Sequence, residues 1–355
     1  MIGTCDPAPP SASAHRDAPC EYTVDKMWQP PIVNVRARRR VVVHCDVKNA
    51  RCALWIGAVL GTIAGCGRVV DQAGLDAASD AAGDARSARC NPMAAFGKPI
   101  ALTSLNTSAD EEHADLSADE LTIYFSSTRP GGAGGFDIYQ ATRGSTTEPF
   151  GNVIPVPGAN TAGNERVPRM AGNGLSMFAM TATTAAPALR IALATRANVA
   201  VAFTGLKMVA NVNNATNTAD PYLLPNGNVM YLASDLAGNL GLYRSVKANG
   251  AFSTPTLVPG VTLDTPAVEN NPVVTADELT LFFGSTRPGG TGDYDIYEAR
   301  RAHVADGFGA PIELTGLDTP GADVPNWIAP DGCSLYFTRQ EPNVGYQLYM
   351  ASRGR

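Results

Sequence analysis

Four acidic residues of this chain have the residue type and spacing that could support chemistry at one common site. They are Glu111, Glu165, Glu269 and Asp323, and each stands at the start of a short segment of similar sequence. Two or three carboxylates that converge within about 5–10 Å could hydrolyse a glycosidic bond, and a ring of them could bind a cation or a polar ligand. The alternative is structural, with each carboxylate accepting hydrogen bonds from backbone N–H groups of a neighbouring segment.

Two arginine–aspartate combinations occur at matching places, Arg129 with Asp137 and Arg287 with Asp295. They could contact a ligand. However, a residue that recurs in a repeat usually serves the repeat, so we predict an ion pair or a hydrogen-bonded turn. The glycines between them, in PGGAGG and PGGTG, do not fit the G-x-x-x-x-G-K pattern of a phosphate-binding loop. We interpret them as hairpin glycines that permit positive φ.

Histidine is nearly absent beyond residue 65, where only His113 and His303 occur. Neither has the spacing of a zinc site, and no G-x-S-x-G segment indicates a nucleophilic serine. We therefore expect no metal, no cofactor and no catalytic residue. His113 stands beside Glu111, Glu112 and Asp115, and we expect it at the surface.

An internal repeat decides the fold class. SADELTIYFSSTRPGGAGGFDIYQATR begins at Ser117, TADELTLFFGSTRPGGTGDYDIYEARR begins at Thr275, and weaker copies fill the gaps. With Leu121, Leu175, Asn228, Leu279 and Cys333 taken as equivalent, successive copies are 54, 53, 51 and 54 residues apart. Each copy contains four short runs with partial apolar–polar alternation, separated by turn residues. A four-stranded unit repeated about every 50 residues is typical of a propeller blade.

The ends of the repeat predict how the ring closes. The fifth copy stops after its third strand, and FGKPIALTSLNT at Phe96 matches FGAPIELTGLDT at Phe308, the fourth strand of the fourth copy. The N-terminal strand should therefore complete the last blade and remove an exposed sheet edge. We predict an all-β, five-bladed propeller of four-stranded antiparallel blades over residues 96–355. Its first strands should line the central channel, with the four carboxylates ringing one mouth.

The string YFSSTRPGG…GGFDIY, repeated in the fourth copy, resembles the WD40-like (PD40) repeat of TolB-type propellers. The resemblance extends over the whole predicted propeller and is faint in the second and third copies. It implies the blade fold and a location in the cell envelope. It does not transfer the partners of TolB, which has six such blades and a separate N-terminal α/β domain.

The N-terminal part predicts export. The apolar stretch from Ala53 to Ala64 is shorter than the roughly 20 residues that span a bilayer, and with Lys48 and Arg51 nearby it suits a signal peptide. The residues IAGC ending at Cys66 resemble the lipobox of bacterial lipoproteins, which implies cleavage before Cys66 and its lipidation. We expect residues 1–65 to be a dispensable extension plus signal peptide, and residues 66–95 to be the lipidated cysteine and a flexible tether. The alternative is a buried apolar segment that happens to end in Gly-Cys.

Beyond Cys66 only Cys90 and Cys333 remain. Cys90 precedes the closing strand of the last blade. Cys333 lies in the turn between the first two strands of that blade, on the face where the fourth strand starts. Six residues of extended chain reach about 20 Å, so the two cysteines could form a disulfide in an oxidising compartment. The alternative is two unrelated free thiols.

Charge and fold together limit the function. Without residues 1–65 the chain has 19 basic and 28 acidic residues, so nucleic acid and anionic lipid surfaces are poor partners. We predict a monomeric, non-catalytic binding or scaffolding lipoprotein of the bacterial cell envelope, anchored in the outer membrane and facing the periplasm or the cell surface. One propeller face would contact an envelope protein, peptidoglycan or another glycan. The alternatives are a propeller glycoside hydrolase that uses the channel-mouth carboxylates, and a purely structural envelope protein.

Overall fold

The computed structural model describes the backbone of three N-terminal strands and the residues 90–183, 185–260 and 267–354. The chain divides into two units, Met1–Asp80 and Ala81–Arg355. In the first unit, β1 (Val43–Asp46), β2 (Arg51–Ile56) and β3 (Val59–Ala64) form an antiparallel sheet in that order. The apolar stretch predicted as a signal segment therefore lies mainly in β2 and β3. Cys66 and the predicted tether as far as residue 89 lie outside the described residues. Within the described part, no helix has the length and apolar character to cross a membrane.

The second unit is an all-β propeller of five antiparallel blades, as the repeat predicts. Blade one contains β5 (Glu111–Leu116), β6 (Thr122–Ser127), β7 (Asp137–Thr142) and β8 (Gly151–Pro155). Blade two contains β9 (Asn164–Met170), β10 (Ser176–Ala182), β11 (Arg190–Thr195) and β12 (Lys207–Met208). Blade three contains β13 (Thr218–Leu223), β14 (Val229–Ser234) and β15 (Gly241–Ala248), with the short β16 (Ala251–Phe252) and β17 (Thr256–Leu257) both paired to β15. Blade four contains β18 (Glu269–Val274), β19 (Thr280–Ser285), β20 (Asp295–Arg300) and β21 (Ile312–Glu313).

Blade five is built from both ends of the propeller chain. Its strands are β22 (Asp323–Ile328), β23 (Ser334–Glu341), β24 (Gly345–Ser352) and, from the N-terminal side, β4 (Ile100–Ala101). Ala101 lies opposite Tyr349 on β24, and Phe96 forms a bridge with Arg353. The closure predicted from the two matching FG segments is therefore confirmed.

The five inner strands β5, β9, β13, β18 and β22 surround the propeller axis, and each contacts the inner strands of both neighbouring blades. We call the end of the ring where they begin the upper face, and the end where they finish the lower face. Every inner strand has a register shift against its partner. In four of them the residue at the bulge has positive φ: His113, Val167, Asp220 and Asn271. Because a β-bulge redirects side chains, the side chains that face the axis do not follow the alternation of a regular strand.

One packing unit recurs between the strands of blades one, four and five. A phenylalanine on the second strand stacks on a tyrosine of the third strand, with ring centres 6.1 Å apart for Phe125 and Tyr139. An arginine near the end of the second strand or just after it covers this pair, as Arg129 does at 4.9 Å from the Phe125 ring centre. The matching groups in blades four and five are Phe283, Tyr297 and Arg287, and Phe337, Tyr349 and Arg339. The repeated arginine is thus held by aromatic rings in each case.

A disulfide joins the two ends of blade five. The sulfurs of Cys90 and Cys333 are 2.07 Å apart, and their Cα atoms are 5.6 Å apart across 243 residues of sequence. The pair stands where the sequence analysis placed it, at the lower face beside the closing strand. The backbone N–H of Asn91 also donates to the carbonyl of Gly354 at 3.0 Å.

Candidate functional site

The four repeated carboxylates at the upper face are completely buried. Glu111 accepts hydrogen bonds from the backbone N–H of Thr107 at 2.7 Å and from the Thr107 hydroxyl at 2.8 Å, and it forms an ion pair with Arg129 at 3.0 Å. Asp323 repeats this pattern with Thr319 and with Arg339, whose Nε lies 2.8 Å away. These carboxylates connect one blade to the segment that enters it, so their geometry matches the structural alternative.

The other two carboxylates are also buried, but the partners of Glu269 lie within blade four and its Oε2 has no hydrogen-bond partner among the described residues. Glu165 accepts hydrogen bonds from the backbone N–H and the hydroxyl of Thr161. Glu269 forms an ion pair with Arg287 at 3.2 Å. Burial is the main cause that raises the pKa of Glu165, Glu269 and Asp323. Because none of the four is exposed, they do not form an open acidic ring that a ligand could reach.

The repeated arginines have different partners from those predicted. Arg129 pairs with Glu111 and Arg287 pairs with Glu269, whereas Asp137 accepts hydrogen bonds from the backbone N–H groups of Ala133 and Gly134 at 3.0 and 3.1 Å. The aspartates therefore do fix the long loops, but each arginine fixes an inner strand instead. Ser127 lies opposite Glu111 in the sheet. Because side chains two residues apart in extended chain share a face, Arg129 is expected on the same side as Ser127 and Glu111. This register is the signal that could have indicated the pair.

Charged and polar residues that do not repeat line the axis just below the carboxylates. They come from three adjacent inner strands and from β18, and all are buried except Arg166, which is partly exposed. The group consists of Glu112, His113, Asp115, Arg166, Arg169, Asp220 and Asn271. Three of them have a buried nitrogen without a hydrogen-bond partner among the described residues, namely His113 Nδ1, Arg166 Nε and Asn271 Nδ2. We call this group the axial cluster.

Arg169 lies between the rest of the axial cluster and the lower face. Its side chain is 2% exposed, and its Nε donates to the carbonyl of Pro221 at 2.8 Å. Its Nη1 donates to the carbonyl of Ala114 at 3.1 Å and lies 3.3 Å from the Asp115 carboxylate. One guanidinium thus connects the inner strands of blades one, two and three. Above it, a second ion pair joins Glu112 to Arg166.

His113 belongs to the axial cluster and is not at the surface, contrary to the sequence analysis. It is 6% exposed, and its Nδ1 lies 3.6 Å from a Glu112 oxygen, beyond hydrogen-bond distance. Burial, aided by Arg166 and Arg169, lowers its pKa well below the usual value. His113 is therefore neutral at pH 7. The acidic sequence around it suggested exposure, but those acids are themselves buried.

A pocket of about 310 Å³ opens at the lower face, on the axis. All five blades contribute to its lining, which is mainly apolar and includes Tyr124, Met170, Tyr222 and Trp327. Asp115 also lines it, and Arg196 is the basic residue of its wall. This size is at the lower end of the range of small-ligand sites, which are about 300–1,000 Å³ and mostly apolar with few polar groups. We call it the axial pocket, and the sequence analysis missed it.

Asp115 is the polar anchor of the axial pocket. One of its oxygens accepts a hydrogen bond from the backbone N–H of Met170 at 2.7 Å, and the other faces Arg169. Burial raises the pKa of Asp115 to about 6, although Arg169 acts in the opposite direction. A buried carboxyl with a perturbed pKa in a concave site is typical of ligand-binding positions. Chemically the pocket can hold an apolar or ring-shaped group and exchange hydrogen bonds with it.

Comparisons with known proteins agree on the fold. No protein-family model matches the chain, and the curated proteins contain no significant match. Solved structures similar to it include a candidate glycoside hydrolase from Parabacteroides distasonis, with 13% identity, a TM-score of 0.50, and coverage of 74% of this chain and 97% of the other. TolB from Acinetobacter baumannii is another, with 14% identity, a TM-score of 0.45, and coverage of 89% and 77%. TolB-type propellers, expected from the repeat, are thus among the similar structures, and these identities establish the fold only.

Proposed function

We propose that this chain is a non-catalytic binding protein of the bacterial cell envelope that holds its partner at the axial pocket. The single observation that carries the proposal is the contrast between the two faces. The repeated carboxylates at the upper face are completely buried and bonded to threonine or arginine side chains, whereas the lower face presents an open, mainly apolar pocket with one carboxyl and one guanidinium.

The contents of the axial pocket favour recognition of a compact group on a larger partner. Tyr222 and Trp327 provide flat apolar surface, while Asp115 and Arg196 provide an acceptor and a donor. Aromatic rings with a few fixed polar groups bind both sugar rings and amino-acid side chains. An envelope protein, peptidoglycan or another glycan would present such groups. Val199 at the pocket wall is 66% exposed, so apolar surface continues outward where a partner would rest.

The glycoside hydrolase alternative loses the residues on which it was based. It requires two carboxyl groups about 5–10 Å apart that face the sugar. Glu111, Glu165, Glu269 and Asp323 are buried and engaged with threonine or arginine partners. Their burial and these contacts weigh against hydrolysis by the four residues.

The envelope location and the lipid anchor remain part of the proposal. They rest on the lipobox-like residues before Cys66, on the basic flank of the apolar stretch and on the acidic charge of the propeller. The Cys90–Cys333 disulfide supports export, because disulfides persist mainly in oxidising compartments.

Photocrosslinking from the pocket wall tests this proposal. A photoreactive amino acid replaces Val199 in the full chain, expressed in its own host. The control carries it at Ile154, which is 46% exposed on the outermost strand of blade one. We expect a specific adduct from the Val199 position and none from the Ile154 position. Ala276→Trp, at an exposed position of the pocket lining, should weaken this adduct by narrowing the pocket.

The adduct also identifies the partner class. A protein band indicates an envelope protein, and a product sensitive to glycan-degrading enzymes indicates a glycan. Equal labelling from both positions would overturn the assignment of the pocket. Release of soluble sugars from envelope glycans by the purified protein would overturn its non-catalytic character.

A further inference from the structure

Three carboxylates converge at the upper, outer end of blade four. Asp295 begins β20, Glu313 ends β21, and Asp318 lies in the loop that leads to β22. One oxygen of each lies within 4.8 Å of the others. The charged neighbours that act on Asp318 are all carboxylates, namely Asp295, Asp323 and Glu313. Three carboxylates this close together repel one another unless a cation or a proton is bound between them.

Blade one provides a matched comparison within the same chain. Asp137 stands in the place of Asp295, Pro155 in that of Glu313, and Asn160 in that of Asp318. Both oxygens of Asp137 accept backbone N–H groups. The side chain of Asn160 accepts from the N–H of Ile138 at 2.8 Å and donates to the Ile138 carbonyl at 3.0 Å. At these three positions blade one therefore satisfies the side-chain polar atoms without any ligand.

Blade four has the same hydrogen-bonded framework but lacks the side-chain donor that Asn160 provides in blade one. Asp318 accepts from the N–H of Ile296 at 2.9 Å, as Asn160 does from Ile138. Its second oxygen replaces the donating amide of Asn160 and has no hydrogen-bond partner among the described residues. Asp295 is 1% exposed, and its Oδ2 is also without a partner there. Two buried carboxylate oxygens without a partner therefore occur in one cluster, although Asp295 Oδ1 accepts from the Gly292 N–H at 2.9 Å. The third carboxylate, Glu313, has no counterpart in blade one and accepts from the Thr291 hydroxyl at 2.9 Å.

We propose that blade four binds a divalent cation, with Ca²⁺ the best fit, between Asp295, Glu313 and Asp318. Ca²⁺ takes oxygen ligands at about 2.3–2.6 Å, so ligands on opposite sides of the ion lie about 5 Å apart, close to the spacing of this cluster. The Ile296 carbonyl, whose counterpart in blade one accepts the Asn160 amide, offers a further oxygen. Zinc prefers nitrogen and sulfur donors, and this set has neither.

A proton on Asp318 is the competing occupant. Burial raises the pKa of Asp318 to about 8, with Asp295, Asp323 and Glu313 adding to the shift. A protonated Asp318 would donate to the Ile296 carbonyl as Asn160 does in blade one. The two occupants differ in one measurable way, because only the cation makes stability depend on Ca²⁺ concentration.

Calorimetric titration and thermal unfolding of the EDTA-treated full chain test the proposal, with CaCl₂ as the ligand. We expect one bound ion, and a Tm that rises by about 5 °C when Ca²⁺ exceeds its Kd a hundredfold. Asp318→Asn copies blade one, so it should fold, weaken Ca²⁺ binding at least tenfold and be at least as stable as wild type in EDTA. Glu313→Gln should also weaken binding. Glu148→Gln, in an exposed loop of blade one, is the control and should bind like wild type.

Two results would overturn the site. The first is wild-type protein whose Tm does not respond to millimolar Ca²⁺ and instead falls as the pH rises from about 4 to 8, a fall that Asp318→Asn abolishes. This result would assign the position to a proton. The second is a Ca²⁺ response that Asp318→Asn and Glu313→Gln leave unchanged, since the ion would then bind elsewhere.

Discussion

Removal of the Cys90–Cys333 disulfide should make the propeller markedly less stable. Both cysteines are buried, and apart from this bond the ring is closed by a strand only two residues long and by the residues that flank it, including the Phe96–Arg353 bridge and the Leu102 N–H, which donates to the Leu348 carbonyl. We consider the double variant Cys90→Ser, Cys333→Ser, because a single substitution would leave a free thiol able to form other bonds. The variant should still fold, since the pairing of β4 with β24 does not involve either cysteine.

The size of the effect follows from the length of chain that the bond closes. The two cysteines are 243 residues apart, and the chain-entropy relation gives about 5.5 kcal/mol for a loop of that size at 25 °C. Measured values are commonly lower, so we expect a loss of about 3–5 kcal/mol in the free energy of unfolding. For a domain of this size the loss corresponds to a Tm roughly 10 °C lower.

Urea unfolding measures this loss directly. Oxidised wild type, reduced wild type and the double variant are compared under the same conditions, and free thiols are counted in the folded proteins. Reduced wild type should behave like the double variant, and reductant should not change the variant. The urea dependence of the unfolding free energy should be steeper without the bond, because the unfolded chain then exposes more surface. Two titratable thiols in the folded, exported protein without reductant would refute the reasoning, as would a double variant as stable as wild type.

Three further predictions concern other parts of the molecule. Glu111→Gln combined with Glu269→Gln should lower the free energy of unfolding by about 2–4 kcal/mol, because two buried ion pairs are lost. Crosslinking from the axial pocket should stay unchanged. A binding defect without a loss of stability would contradict this prediction. Asp115 has its pKa raised by burial to about 6, above an unfolded value of about 3.9. The folded state therefore retains a proton that the unfolded chain loses between these values, so this stabilisation is present below about pH 4 and disappears as the pH rises to 6. Asp115→Asn should flatten that part of a pH series of urea titrations, and an unchanged slope would count against the burial argument. Cys66→Ala should leave unprocessed precursor or release the protein from the membrane, and an intact mass that retains residues 1–65 in the native host would refute the processing.

Most of the fold could be predicted from the repeat because the same pattern of strands and turns occurs in all five blades. The segment beginning at Ser117 and its copy at Thr275 define the hairpins, and the matching segments at Phe96 and Phe308 define the closure. Of the glycines in these segments, Gly131 and Gly289 have the positive φ that was predicted, 101° and 98°, whereas the following glycines do not. Positions that recur are those whose environment recurs, so pattern alone can find them.

The axial cluster could not be found in this way because its residues differ from blade to blade. The position after the repeated acid is Glu112 in blade one, Arg166 in blade two and Ala219 in blade three. The ion pair between Glu112 and Arg166 joins two blades and depends on the bulges that redirect the inner strands. Local sequence also misled the prediction for His113, because flanking acidic residues normally indicate exposure. Here these residues are buried and form ion pairs with arginines inside the ring.

The first and last residues of the propeller lie next to each other, which determines where a group attached to either of them is located. Asn91 bonds to Gly354, and Gly332, in the turn beside the disulfide, approaches Pro92, so both termini leave the propeller at its lower face. The axial pocket opens on that same face and shares Pro330 of this turn in its lining. A bulky group fused directly before Cys90 or directly after Gly354 would therefore stand at the face on which the pocket opens. Reporter labels and capture tags belong on the upper face, for example at the exposed loop between β6 and β7.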